Sequence, residues 1–425
     1  MSKLIRDIFI LAVSLTAPLN RVWNGTGLPA WCKSVLADCG KNTSKESFGH
    51  VESIFLFDVD LRGTLPESLS ILKHMDSFVI LENQLTGSLP STLGAWKNLT
   101  VLHLVVNNFT GTIPSYIAEY TNLHSLSLFS NKFVGTIPGN FASVSTLLQI
   151  DMAKNSLTGT IPPSFGSSTK LKYFSFSGNK LTGTFPSTMS NMPFMVALEL
   201  ANNKLVGTIP NFLSTHTRLE DLILSGNKFT GTIPTAIGAL SKLRKVDLRN
   251  NKLDGTIPCN FASASTLVFI DMAKNSLTGT IPPYFGSSTK LMYFRLSGNI
   301  LTGTFPSTMS NMTYIEELEL ENNKLVGTIP NFLSTYTRLQ RLILSGNKFT
   351  GTIPSSIGDL SKLYKVDLSN NKLEGTIPGY FDVRPGTFSA MNTKRLKNIY
   401  MKSSWWLDNH SSSDTTPLLR VSGSN

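Results

Sequence analysis

Cysteine is scarce in this chain: three residues in 425, at positions 32, 39 and 259. So few cannot staple a disulfide-dense fold, and three cannot all pair. Charge is scarce as well, at 15% Asp, Glu, Lys and Arg where a soluble chain usually carries about a quarter. The formal net charge is +11, yet no run of five like charges occurs. That pattern argues against a nucleic-acid or anionic-surface stripe and for a mildly basic, solvated surface. No stretch reaches the ~18 apolar residues that a membrane helix needs. The six histidines are scattered without a pair at helical metal spacing. A P-loop, a nucleophile elbow and a dinucleotide fingerprint are all missing. The expectations are therefore no catalytic residues, no metal, no cofactor, no nucleic acid and no transmembrane segment. Polar surface must come from Ser, Thr and Asn, which favours an extracellular, glycosylated chain.

What is present is a repeat. Glycine recurs every 24 residues from Gly63 to Gly375, with proline three positions later, from Pro66 to Pro378. Asparagine stands four positions before the glycine from Asn83 to Asn371, and only the first repeat, with Val59, lacks it. One unit reads Leu219, Leu222, Leu224, Asn227, Phe229, Gly231, Ile233, Pro234, Ile237. Fourteen such units span 51–381, so a length that suggests two or three domains becomes one stacked array with a shared core.

Each position has a physical task. The period-two alternation at Leu222 and Leu224 marks a short strand with leucines inward, and stacked strands form a parallel sheet. Strands are expected near Leu222, Leu248 and their equivalents. Asn227 sits where the chain turns away, and its amide both donates and accepts, so thirteen asparagines in register form a ladder. Gly231 relaxes the next bend and Pro234 fixes the exit. Ile237, Leu240 and Leu243 return to the core. At ~4.8 Å per strand, fourteen units give an arc on the order of 65 Å.

The LxxLxLxxNxLxGTIPxxF unit resembles the plant-type leucine-rich repeat. That resemblance implies an α/β solenoid, a curved right-handed horseshoe with a parallel concave sheet and mostly strand and irregular or 3-10 structure. Members are ligand-binding ectodomains, inhibitors of enzymes, and surface antigens, and the repeats themselves are not enzymes. Residues 1–50 then read as a signal peptide and amino-terminal cap. Ile8 to Ala17 is either a signal-peptide core or a cap helix. Cys32 and Cys39 match the cap spacing of the family and imply a cap disulfide, although Ser34 stands where the family has tryptophan. Trp23-Asn24-Gly25-Thr26 with the GTLPE segment at Gly63 is closest in style to trypanosomatid surface antigens. Plant receptor-like ectodomains are the other style the repeats match. After Phe381 the period fails, and 382–425 reads as a short cap and a disordered basic, Ser-rich tail. It keeps no hydrophobic anchor signal.

The outward positions of each strand lie ten, eight and six residues before the glycine. Early units place Phe55, Phe57, His103, Phe129 and Tyr173 there. Later ones place Lys245, Asp247, Arg249, Phe269, Asp271, Tyr293, Arg295, Glu317, Glu319, Glu321, Arg341, Lys365 and Asp367. Aromatic residues followed by interleaved charges suit a protein or peptide ligand, such as a surface protein of a host or neighbouring cell. Carboxylate pairs such as Glu317 and Glu319 lie on an open face, where water is not excluded and strong pKa shifts are not expected. Sequons occur at Asn24, Asn42, Asn98, Asn108, Asn311 and Asn409, with Asn108 placed at the edge of the inner face.

Residues 135–254 and 255–374 are a five-unit duplication, differing at 24 of 120 positions. Six of the 15 outward positions differ, against 18 of the other 105. Ser175, Ala197, Ala201 and Asp221 become Arg295, Glu317, Glu321 and Arg341. Either exposed sites drifted or the charge of a binding face was changed. On the binding reading, reverting Glu317, Glu321 and Arg341 should alter affinity and leave folding nearly untouched. The expectation for function is extracellular or cell-surface recognition or adhesion. A passive surface coat and an inhibitor of a secreted wall-degrading enzyme are the alternatives.

Overall fold

The computed structural model describes residues 52–141, 144–260 and 265–376, with the backbone of 388–389 and 395–396. The described residues fall into two compact units, one from 52 to 207 with 215–227 and one of 208–214 with the described residues from 228 onward. In the first, main-sheet strands run Ser53–Phe57, Ser77–Leu81, Val101–His103, Ser125–Ser127, Gln149–Asp151, Tyr173–Ser175, Ala197–Glu199 and Asp221–Ile223. In the second they run Lys245–Asp247, Phe269–Asp271, Tyr293–Arg295, Glu317–Glu319, Arg341–Ile343, Lys365–Asp367 and Phe388–Ser389. Pairing is parallel between sequential strands, as in Ser53↔Ser77 and Arg295↔Glu319. The pairing offset equals the 24-residue repeat up to the pairing of Arg341–Ile343 with Lys365–Asp367, so these units present the same positions inward. It falls to 22 where Val366 meets Phe388, beyond the last regular repeat.

The expected strand centre at Leu222 holds, but in the 245–247 strand the centre is Val246. Leu248 follows the strand, buried at the start of the bend. Two consecutive inward positions exist per unit, and hydrogen-bonded pairing covers the first. The consensus apolar positions Leu219, Leu222, Leu224, Phe229, Ile233 and Ile237 are all buried.

The asparagine ladder runs between units as well as within them. Asn227 Oδ1 accepts from the Leu205 N–H at 3.0 Å, while Nδ2 donates to the Leu200, Leu224 and Ser225 carbonyls at 2.8, 3.1 and 3.3 Å. Each amide thus satisfies backbone of the preceding unit, where no strand partner is available. Val59 carries no side-chain amide to offer the residues before it. Its N–H is served by Asn83 Oδ1 at 3.2 Å, which also accepts from Leu61 at 2.9 Å.

Beyond the asparagine, short strands such as Lys228–Thr232 and Lys252–Asp254 form small parallel sheets beside the main one. The glycine within them is required. Gly87, in the side strand Gln84–Gly87, has φ +78°, and a Cβ there would meet Thr64 Cγ2 at 2.7 Å. Proline then leads into a 3-10 turn: Pro234, at φ −61° and ψ 129°, precedes Thr235–Ala239. No helix among the described residues is long and apolar enough to cross a membrane.

Candidate functional site

Strand alternation puts one row of each main-sheet strand inward and leaves the other on the open face. Tyr173 opens the strand Tyr173–Ser175 in the first unit and is 45% exposed. The other residues expected at the site fall within the second unit, on six successive strands or, for Glu321, just after one. They do not form a uniform exposed row.

Asp247 and Asp271 are buried, at 5% and 2% exposure, against the expectation of contact residues. Their short side chains turn back to the bend, where Asp271 Oδ1 accepts from the Ala273 N–H at 3.0 Å and Asp247 Oδ1 from Arg249 at 3.2 Å. Asp367 does the same for Ser369 at 3.0 Å and is half-buried. Lys245 and Lys365 are exposed.

The longer charges pair with one another. Arg249 reaches Asp247 and Asp271 at 3.6 Å each, and Arg295 reaches Asp271 at 3.8 Å from the other side. Arg295 also contacts Glu317, with its Nε at 3.2 Å, and lies 3.7 Å from Glu319. Arg341 donates two bonds to Glu319, at 2.7 and 3.0 Å, and lies 3.8 Å from Glu317. Glu321 accepts from the Ser297 hydroxyl. The Arg295 guanidinium also sits over the rings of Phe269 and Tyr293 at 5.5 and 5.7 Å, and Lys245 over Phe269 at 5.2 Å. Tyr293 Oη donates to Glu316 at 3.3 Å.

Burial pushes the Asp271 carboxyl up to about 6, reinforced by Asp247 and opposed by the Ala273 N–H and the two arginines. The expectation for an open face is no strong shift. One arises here because the short carboxyl turns back into the bend and loses water there, as its counterpart Asp151 also does with no arginine beside it among the described residues.

The duplicate face in the first unit is built differently. Gln149, Asp151, Tyr173, Ser175, Ala197 and Glu199 line a shallow hollow of about 150 Å³. Asp151 caps the Ala153 N–H at 3.0 Å, and burial raises its pKa against the bonds from Ala153 and Ser175. Ser175 Oγ donates to Glu199 at 3.2 Å. Sequence reasoning missed Asp151 and Glu199, although they are the counterparts of Asp271 and Glu319.

His103 Nε2 lies 2.7 Å from Ser125 Oγ, and its pKa is lowered by burial. Phe55 and Phe57 are 57% and 50% exposed. Cys259 is free and exposed. Cys32, Cys39, Asn24, Asn42 and Asn409 lie outside the described residues. Asn98 and Asn311 are exposed. Asn108 is not at the main-sheet edge as expected. It belongs to the side strand Asn108–Phe109 and pairs with Thr86, because the chain has already turned at Asn107.

Models of the leucine-rich repeat match residues 289–349 and, as single repeats, 122–144, 146–168, 170–192, 218–240, 242–264, 266–288 and 362–383, together about half of the chain. The chain is a leucine-rich-repeat protein. Among solved structures, it is similar to the plant peptide hormone receptor RGFR1 in complex with RGF2, at 33% identity and TM-score 0.73, covering 77% of this chain and 53% of that one. It is also similar to the Arabidopsis receptor kinase HAESA in complex with the peptide hormone IDA and the co-receptor SERK1. That match has 29% identity and TM-score 0.74, covering 84% of this chain and 66% of that one. A leucine-rich-repeat protein of Leptospira interrogans matches at 27% identity and TM-score 0.63, over 78% of this chain and 82% of that one. This leucine-rich-repeat chain therefore spans about half of the RGFR1 structure. No curated protein sequence matches it. The solenoid is of the plant type, with a parallel main sheet, side strands after the asparagine and 3-10 turns after the proline.

Proposed function

We propose that this protein is a non-enzymatic recognition protein at the cell exterior, binding a protein or peptide along the open face of its main sheet. The observation that carries this reading is the face itself. Aromatic rings and half-buried charges follow one another over successive strands, in a fold whose solved relatives include receptors crystallised with peptide hormones. Recognition proceeds by shape and charge complementarity, with no covalent step. The raised pKa of Asp271 belongs to a backbone cap under two arginines, a structural task, and is no sign of proton transfer chemistry.

Which strands a ligand covers depends on how much charge remains available. The network from Arg249 to Arg341 is compensated internally, so a partner there must exchange ion pairs or stack on the rings of Phe269 and Tyr293. Secretion, sequon use at Asn98 and Asn311, and the Cys32–Cys39 bridge belong to the same proposal. The test is a screen of the full chain against a peptide library and purified surface proteins, with and without glycans. Saturable binding that survives deglycosylation supports recognition. Non-saturable or glycan-dependent binding overturns it in favour of a passive coat. Saturation only by secreted wall-degrading enzymes would make the chain an inhibitor.

A further inference from the structure

The duplication supplies two versions of one local surface, and the second shows what the first is shaped to hold. In the second version, the guanidinium of Arg295 lies against Asp271 and Glu319, at 3.8 and 3.7 Å, beside the ring of Tyr293 at 5.7 Å. The counterparts in the first version are Asp151, Glu199 and Tyr173, all retained. Position 295 itself is Ser175 there, and Glu317 is Ala197. Both are small residues, and both line the hollow of about 150 Å³, several times the ~30 Å³ share of a single water. Two of the three carboxylates, one of the two rings and open space are kept, with Phe269 replaced by Gln149 at the rim, while the side chain that fills the equivalent place is gone.

We propose that the hollow over the strands 149–151, 173–175 and 197–199 receives the guanidinium of an arginine on a protein or peptide ligand. Asp151 and Glu199 would accept its hydrogen bonds, and Tyr173 would cover its face. The proposal rests on the recognition reading above. Arginine fits better than lysine because its planar fork can meet two carboxylates and an aromatic ring at once. Among the described residues Asp151 has no ion pair of its own, whereas Asp271 has two arginines. In a chain of net charge +11, an acidic hollow opposes the overall balance and selects locally.

The test uses the full chain and Nα-acetyl-arginine amide, with the uncharged, nearly isosteric citrulline derivative as control, by titration calorimetry. One saturable site is expected, with citrulline weaker by roughly tenfold or more. The double substitution S175R/A197E transplants the residues already accommodated at 295 and 317, and should abolish the site while the circular dichroism stays unchanged. Should that variant not fold, Asp151→Asn decides, since its amide oxygen still caps Ala153, and it should weaken binding by roughly tenfold. No binding of the arginine probe, equal binding of citrulline, or unaltered affinity in a folded variant would overturn the assignment. A selected peptide that binds wild type and S175R/A197E equally would leave the recognition reading standing and remove this site. An arginine probe that binds, with no peptide or protein partner saturating, would do the reverse.

Discussion

At the scale of single residues, the position before each ladder asparagine is the most demanding. It is left-handed in every unit, and glycine or asparagine fills it at Gly178, Asn202, Gly226 and Asn250. Val106 fills it once, at φ 51° and 39% exposed. A β-branched residue is strained there, and its exposed side chain gains little packing in return. Val106→Asn should raise stability by about 0.5–1 kcal/mol in urea titration. A fall in midpoint would contradict the strain argument. Asn227→Leu removes an acceptor for Leu205 and a donor for three carbonyls, and should cost about 1–3 kcal/mol. An unchanged melting temperature would remove the ladder from the account of stability. Asp271 makes a third prediction. Its folded pKa of about 6 lies above the unfolded value of 3.8, so the folded state binds the extra proton between them. Its contribution is fully present below pH ~4 and is lost as pH rises through ~6. Wild type should thus lose roughly 1–3 kcal/mol relative to Asp271→Asn between pH 4 and 7. Parallel pH profiles of the two proteins would show that the carboxyl titrates normally.

At the scale of the element, a strand of three residues carries two outward side chains, and their length decides what they do. Aspartate at the third position reaches only the bend and caps it, at Asp151, Asp247, Asp271 and Asp367. Glutamate and arginine reach the next strand and pair, with side-chain exposures of 16–27% across Arg295, Glu317, Glu319 and Arg341. The strand positions were legible in the sequence because the 24-residue register is local and unbroken. The pairing was not, because side chains lean diagonally and Arg295 turns to Glu317 as well as to Glu319, its backbone partner. The hollow was also illegible, since it exists only where Ser175 and Ala197 are short beside residues that stay long. This revises the expectation for the reverting triple change. Glu317 bridges Arg295 and Arg341, so replacing Glu317, Glu321 and Arg341 should cost more than the ~0.5 kcal/mol typical of exposed sites. A double-mutant cycle on Arg295→Ala and Glu317→Ala should give a coupling of roughly 0.5–1 kcal/mol that shrinks in molar salt. A coupling near zero at low salt would show the pair to be solvent-separated.

At the scale of the whole molecule, the repeat makes a demand that a globular core would not. Each unit contacts its neighbours through the same atoms, so removing one complete unit should leave matching surfaces. Deleting Gly111–Val134 joins Thr110 to Gly135 and keeps the sequence in phase. Asn131 now donates to Leu104 at 2.6 Å and accepts from Phe109 at 3.0 Å. After the deletion Asn155, which makes the same bonds to Leu128 and Phe133, faces Leu104 and Phe109 instead. Strand 149–151, now paired with 125–127, faces 101–103, where Ser125 and Ser127 had been. The loss is one inter-unit interface and the stacking of Phe133 on Phe109, 6.2 Å apart, since Leu157 moves into the place of Phe133. A cooperative but lower urea transition, with the strand signal per residue retained in circular dichroism, is the expected result. Deleting half a unit, Gly111–Asn122, sets inward leucines against outward positions and should abolish the transition. If both deletions behave alike, the stability of this chain does not come from repeated nearest-neighbour contacts, and the ladder and sheet register are secondary to some other source of order.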